Sequence, residues 1–272
     1  MAGFIYKNQS TNSILSNAKL ILVNEGAINA VIGSSREAVT GDTTLTRPIA
    51  NEYGMKNEAL KFEYFLIKDN GSIFTESEQT TIEKWLTSPK YSSSLDIIDC
   101  DENIVCTYFG KFEKTEWLIS SGGFIGLKFY FANNDAYPKK HYEHTYQIRG
   151  KETIRLICES DELEEYIYPT ISITEKVNPK SQATIVFDSD NSYCVVVNTL
   201  EGLNINIDSQ YCIVNDGTTS GVISMKDLGW SDMGNIYWPR LIPGENIIGI
   251  DGNVDVVISY DAPYKKVGGW LS

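Results

Sequence analysis

The chain has 272 residues, a net charge of −13, and 42% hydrophobic and 11% aromatic residues, 16 of them Tyr. Its longest basic runs are the pairs Lys139-Lys140 and Lys265-Lys266. That excludes the clustered cations by which nucleic-acid-binding surfaces displace counterions from phosphate. No apolar run approaches the ~18 residues of a membrane helix, and the start Met1-Ala2-Gly3-Phe4-Ile5-Tyr6-Lys7-Asn8 has no signal-peptide pattern, so a protein made in a cytoplasm and not inserted in a membrane is expected.

Residues 20–32 read as extended: Leu20-Ile21-Leu22-Val23, a turn at Asn24-Glu25-Gly26, then a run from Ile28 to Ile32. Residues 33–56 are polar, with Gly41-Asp42 as a turn and few large apolar side chains. A stretch this long without core residues is unusual in a compact domain. It predicts either disorder or an arm that finds its partner on another chain, with Arg36, Asp42 and Arg47 as subunit-interface candidates. Leu60 to Ile67 alternates as a strand, Phe62, Tyr64 and Leu66 against Glu63 and Phe65, and Asp69-Asn70-Gly71 closes it. A helix follows. Thr75 and Glu78 form a capping-box pattern, Ile82, Trp85 and Leu86 make one apolar stripe, and Pro89 stops it. At about three turns it must be held by packing rather than by propensity.

Further strands are predicted at Leu95–Ile98, Ile104–Phe109, Glu116–Ser120 and Phe124–Phe131. Asn133-Asn134-Asp135 and Pro138-Lys139-Lys140 then break the pattern, which divides the chain into domains 1–135 and 136–272. The second half reads as short strands every 8–12 residues or so, the spacing of a sandwich or barrel. They are Tyr142–Gln147, Thr153–Cys158, Thr170–Thr174, Ala183–Phe187, Tyr193–Val197, Leu203–Ile207, Tyr211–Val214, Gly221–Ser224, Asn246–Gly249 and Val254–Ser259. Asp251-Gly252 between the last two is read as a type I′ hairpin turn. Glu159 to Glu165 competes as a short acidic turn of helix. The fold class is therefore all-β, with one short helix in the first domain.

Chemistry-bearing patterns are sparse. His141 and His144 are the only histidines. In an extended segment, positions three apart face opposite ways, so they read as linker or surface residues rather than a metal pair. Glu159, Asp161, Glu162, Glu164 and Glu165 read as a solvated charge run, not a glycosidase pair. Asp188-Ser189-Asp190-Asn191 lacks the Gly and distant Glu of a calcium loop and reads as a turn. Gly122-Gly123 and Gly217 read as hairpin turns, not phosphate loops. The five cysteines, Cys100, Cys106, Cys158, Cys194 and Cys212, include no CxxC and read as buried free thiols of a reducing compartment. Of the five tryptophans, Trp230 and Trp238 are the candidates for a sugar-stacking platform, with core packing as the default. No catalytic, metal or cofactor site is expected.

One set of segments has an order of its own. It begins with Asn51-Glu52-Tyr53-Gly54-Met55-Lys56 and Leu60-Lys61-Phe62-Glu63-Tyr64, then the turn Asp69-Asn70-Gly71, the helix ending Ile82-Glu83-Lys84-Trp85-Leu86, and Tyr91 through Asp99. Tyr168-Pro169-Thr170-Ile171-Ser172-Ile173 and Trp238 through Asn246 continue it. In this order, over nearly the whole chain, they resemble the distal tail protein family of tailed bacteriophages and phage-derived particles. The resemblance implies a tail-tube-like first domain and a galectin-like β-sandwich as the second. It also implies a non-enzymatic hub, usually a hexameric ring, joining the tail tube to tip, baseplate or receptor-binding proteins. Such a protein would reside in the virion tail after assembly in the host bacterial cytoplasm. The family's Pro-Gly-Arg-Asp-Gly-like loop corresponds here to Val39-Thr40-Gly41-Asp42, which departs from it. The acidic charge suits a lumen that lets DNA slide without sticking. A host-carbohydrate-binding module at a tail tip is the alternative reading, and a wall-degrading enzyme is a third class.

Overall fold

The computed structural model describes residues 3–23, 36–40, 52–59, 61–175, 182–187, 193–198, 204–216, 221–223 and 238–265. The chain is mostly β, with one short helix, and falls into two compact units. The first holds the described residues of Met1–Lys140 and of Tyr264–Ser272; the second is His141–Pro263.

In the first unit the strands are β1 (Gly3–Tyr6), β2 (Gln9–Ser10), β3 (Leu20–Val23), β4 (Arg36–Thr40), β5 (Glu52–Asn57), β6 (Lys61–Lys68), β7 (Ser93–Ile98), β8 (Ile104–Ser120) and β9 (Gly123–Asn133), with α1 (Glu76–Thr87) between β6 and β7. The strand β10 (Lys139–Cys158) starts here, with Lys139 opposite Thr107 of β8. The strand pairings described in this unit are antiparallel. The organising strand is β8, which the sequence divides into two short runs. Its first half pairs with β7 and its second half with β9, and Gly110 lies opposite both Ser93 and Asn133. A Cβ on Gly110 would stand 1.9 Å from the carbonyl oxygen of Ala132, so only glycine lets the strand turn this corner. A bulge between Phe112 and Lys114 adds to the bend.

The core enclosed by these strands is aromatic. Phe4 stacks on Trp85 with ring centroids 5.2 Å apart, and Phe112 meets Tyr6, Phe129 and Phe131 edge-on. The helix seats Ile82, Trp85 and Leu86 in this core, and Trp85 Nε1 donates to the Tyr6 carbonyl at 2.8 Å. The predicted capping box is present: Thr75 accepts from the Glu78 amide while the Glu78 carboxylate accepts from the Thr75 amide.

The second unit continues along β10 and adds β11 (Thr170–Glu175), β12 (Gln182–Phe187), β13 (Tyr193–Asn198), β14 (Asn204–Asp208), β15 (Ile213–Asn215) and β16 (Gly244–Pro263). The order β15-β14-β11-β16-β10 forms its sheet, and β13-β12 joins through β16. Its core is aliphatic, from Ile171 and Ile173, Ile205 and Ile207, and alternate residues of β16.

The structure departs from four sequence expectations. Asp251-Gly252 is not a hairpin turn: β16 runs straight through it as one strand of 20 residues. Its Ile248–Asp251 stretch pairs with β12 and its Val254–Ser259 stretch with β11. Gly252, at φ +150, supplies a bend where the strand changes partners, and Asp251 lacks the positive φ that a type I′ turn needs. Likewise Tyr142–Gln147 and Thr153–Cys158 are one strand, β10, with Gly150 at φ +102 between them. Of the predicted Gly221–Ser224 strand, the described residues 221–223 contribute a bridge of Val222 to Asn215. Glu159–Glu165 forms no helix. The Ile28–Ile32 run lies outside the described residues.

Candidate functional site

Within the polar 33–56 stretch the described residues form a ribbon. β4 and β5 pair only with each other among the described strands, from Arg36 opposite Asn57 to Thr40 opposite Glu52, with a bulge between Ala38 and Thr40. The ribbon is inserted between β3 and β6, which themselves pair with Val23 opposite Phe65. A two-stranded ribbon is marginal in water by itself, so its sequence suits a segment completed by something outside this fold. Of the interface candidates, Arg36 begins β4, and Asp42 and Arg47 lie outside the described residues. Val39 and Thr40 of the departing loop close β4.

At the root of the ribbon the outward face of β6, β9 and β8 is laced with charge. Lys61 Nζ lies 3.0 Å from Glu113, and Lys128 Nζ lies 3.1 Å from Glu63. Hydrogen bonding to Tyr130 and Glu63 pushes the Lys128 pKa up. Exposed pairs of this kind add little stability. Large apolar side chains are exposed elsewhere on the unit: Ile73, Ile119 and Ile125 around the β8–β9 turn, at the opposite end of these strands from Lys61, and Tyr91 and Phe109 on the β7–β8 side, Tyr91 being 81% exposed.

One buried ion pair was not foreseen from the sequence. Lys68 ends β6 with its side chain only 2% exposed. Its Nζ donates to Glu78 at 2.7 Å and to the Ile73 carbonyl at 2.8 Å, and sits 5.0 Å from the centre of the Phe74 ring. Burial alone would raise the Glu78 pKa, but the Lys68 ammonium and the Thr75 amide and hydroxyl outweigh it and pull the carboxyl down to about 2. This pair locks the helix cap to the strand that carries the ribbon's root. The signal was the period of β6, since Lys68 falls on the inward side with Phe62, Tyr64 and Leu66.

The remaining candidates separate. His141 is exposed and pairs with Asp261 at 2.8 Å. His144 faces the other way, as expected for a strand, yet it is not a plain surface residue. Its ring stacks 5.9 Å from Tyr260, and its Nε2 is buried without a hydrogen-bond partner among the described residues. Glu162 also departs from the solvated run by being buried, while Asp161, Glu164 and Glu165 are exposed. Cys106 and Cys158 are buried as expected, their pKa values pushed up by burial to about 12 and about 11. Cys100 and Cys212 are exposed, correcting the reading of all five as buried; the Cys194 side chain lies outside the description. Trp238 is half-buried against the second unit's core, and Trp230 lies outside the described residues.

Two family models span this architecture. One, described as a phage tail protein N-terminal domain, matches residues 2–135, and the other, a phage tail C-terminal domain, matches residues 136–260. The chain belongs to this phage tail protein family. Among solved structures it is similar to the Dit protein of phage SPP1, described as a paradigm of the hub adsorption apparatus in phages infecting Gram-positive bacteria. The TM-score is 0.63 at 14% identity, over 96% of this chain and 99% of that one. It is also similar to a chain of the phage P2 baseplate in its activated conformation with Ca, with TM-score 0.53 at 12% identity over 98% of this chain and 100% of the other. At such identities the likeness is one of fold, and it extends through both units of this tail protein. No curated protein matches the chain in sequence.

Proposed function

We propose that this tail protein is the hub at the distal end of the tail. Copies close into a ring, expected to be a hexamer, that joins the tail tube to tip, baseplate or receptor-binding proteins. The observation that carries the reading is the hub-protein fold shared along 96% of the chain, on a member of a phage tail family. The β4–β5 ribbon supplies the means of closure. A neighbour that covers it removes the instability of a lone two-stranded sheet, and the charge lattice at its root extends the contact. The first domain, residues 1–135, forms the ring, and the second is residues 136–272. The net charge of −13 suits a lumen that repels DNA phosphate; a ring lined mainly by Lys and Arg would contradict that part. The role is structural, requires no cofactor, and is taken up in the virion tail after assembly in the bacterial cytoplasm.

Size-exclusion chromatography with light scattering tests the reading on the full chain and on a variant whose residues 33–56 are replaced by a short Gly/Ser linker. The expected result is a discrete oligomer that falls to monomer in the variant. A full chain that stays monomeric at high concentration and in the presence of its tail partners contradicts the reading, as does an oligomer indifferent to the ribbon.

A further inference from the structure

We propose that the exposed surface made by Leu163, Tyr166, Tyr168 and Arg240 is the docking site for a cationic segment of another tail protein. Ile167 and Leu241 form an antiparallel bridge in which each amide donates to the other's carbonyl, at 3.0 and 2.7 Å. Both bridge residues are buried. Side chains alternate along extended backbone, so the flanking Tyr166, Tyr168 and Arg240 turn to the opposite face. There the two tyrosines stand 42% and 46% exposed. The Arg240 guanidinium lies 4.1 Å from the centre of the Tyr166 ring and holds it in place. Leu163 is 76% exposed in the bend that leads into the bridge. Three residues of chain can carry it no more than about 11 Å from Tyr166.

Tyrosine and arginine are the side chains that carry interface energy, and a ring already held by its neighbour loses little freedom on binding. Charge then selects the occupant. Between Arg155 and Lys176 the sequence has no other cation, while Glu159, Asp161, Glu164 and Glu165 are all exposed. The one cation of the surface, Arg240, leaves these carboxylates in excess. A second copy of this chain brings a net charge of −13 to meet them. A nucleic acid or an anionic lipid surface is repelled in the same way. A protein segment with Lys or Arg beside an apolar side chain satisfies both halves of the surface. Its cations meet the carboxylates, and its apolar group covers Leu163 and the tyrosine rings.

A photo-crosslinking amino acid placed at Leu163 in assembled tails, followed by peptide mass mapping, tests the assignment. The expected product joins this position to a Lys- or Arg-bearing segment of a different tail protein. That segment, made as a synthetic peptide, is expected to bind the full chain in fluorescence anisotropy. Binding should weaken about tenfold or more in Y166A and in Y168A, the scale of an interface anchor. Glu164→Lys combined with Glu165→Lys changes two exposed side chains and leaves the core untouched. It is expected to weaken binding to the same extent with an unchanged melting transition, and added salt should weaken the parent complex more than the charge-reversed one. A crosslink to another copy of this chain, to an acidic segment, or to nothing in complete tails overturns the proposal. So does peptide binding that survives both Y168A and the charge reversal. The proposal rests on the chain's place in the tail and not on the ring. The expected crosslink in tails without a ring would refute the hub and leave this surface standing, and a ring without the crosslink would do the reverse.

Discussion

Glu78→Gln tests whether the buried ion pair holds the helix to β6. The folded carboxyl lies at about 2 against an ordinary 4.5, which corresponds to about 3 kcal/mol favouring the charged form in the folded state. The Glu78 side chain is 12% exposed, so solvent screening removes little of this. Because the folded value is depressed, the contribution is complete above about pH 4.5 and is lost as pH falls toward about 2. E78Q is expected to lose about 3 kcal/mol at pH 7, read by urea unfolding with tryptophan fluorescence, since Trp85 lies in the same core. Near pH 3 the difference from the parent shrinks to about half, because the parent has by then surrendered much of the same term. Adding Lys68→Met to E78Q removes the stranded cation and is expected to recover most of the loss. A loss below about 1 kcal/mol at pH 7, or an equal difference at both pH values, refutes this account of the pair.

Gly110→Ala forces a Cβ onto the Ala132 carbonyl at the corner of β8; a loss of about 3 kcal/mol in denaturant unfolding is expected, and a neutral result would show that the strand does not need its bend there. Trp85→Phe keeps a ring against Phe4 but gives up the bond to the Tyr6 carbonyl, and calorimetry should register about 1–2 kcal/mol. With a thiol reagent at neutral pH, peptide mass mapping should find Cys100 and Cys212 labelled in the native protein and Cys106 and Cys158 only after unfolding; native labelling of Cys106 would contradict its burial.

Local signals in the sequence were reliable where they were complete in themselves. Thr75, Glu78, Ile82, Trp85 and Leu86 specify a capped helix with one buried stripe, and the structure has it. Strand existence was legible from period-2 runs, but strand continuity was not. Asp251-Gly252 and Gly110 look like breaks because glycine and Asp-Gly usually mark turns, whereas here glycine lets a long strand bend and change partners. Lys68 was missed because a lysine was not weighed as an inward residue, although its place in the alternation of β6 puts it there. The ribbon was legible as a segment without core residues, but its internal pairing depends on register between β4 and β5, which polar strands specify weakly. The surface at Tyr166, Tyr168 and Arg240 was hidden for a related reason. Each segment is visible alone, but only the bridge of Ile167 to Leu241 brings the two side by side.

The most direct test of the hub assignment is electron microscopy of assembled tails carrying a gold-labelled tag on this chain. The account predicts label confined to the distal end of the tube, with class averages showing a closed ring of copies at that position. Label distributed along the tube, or confined to the head-proximal end, would contradict it.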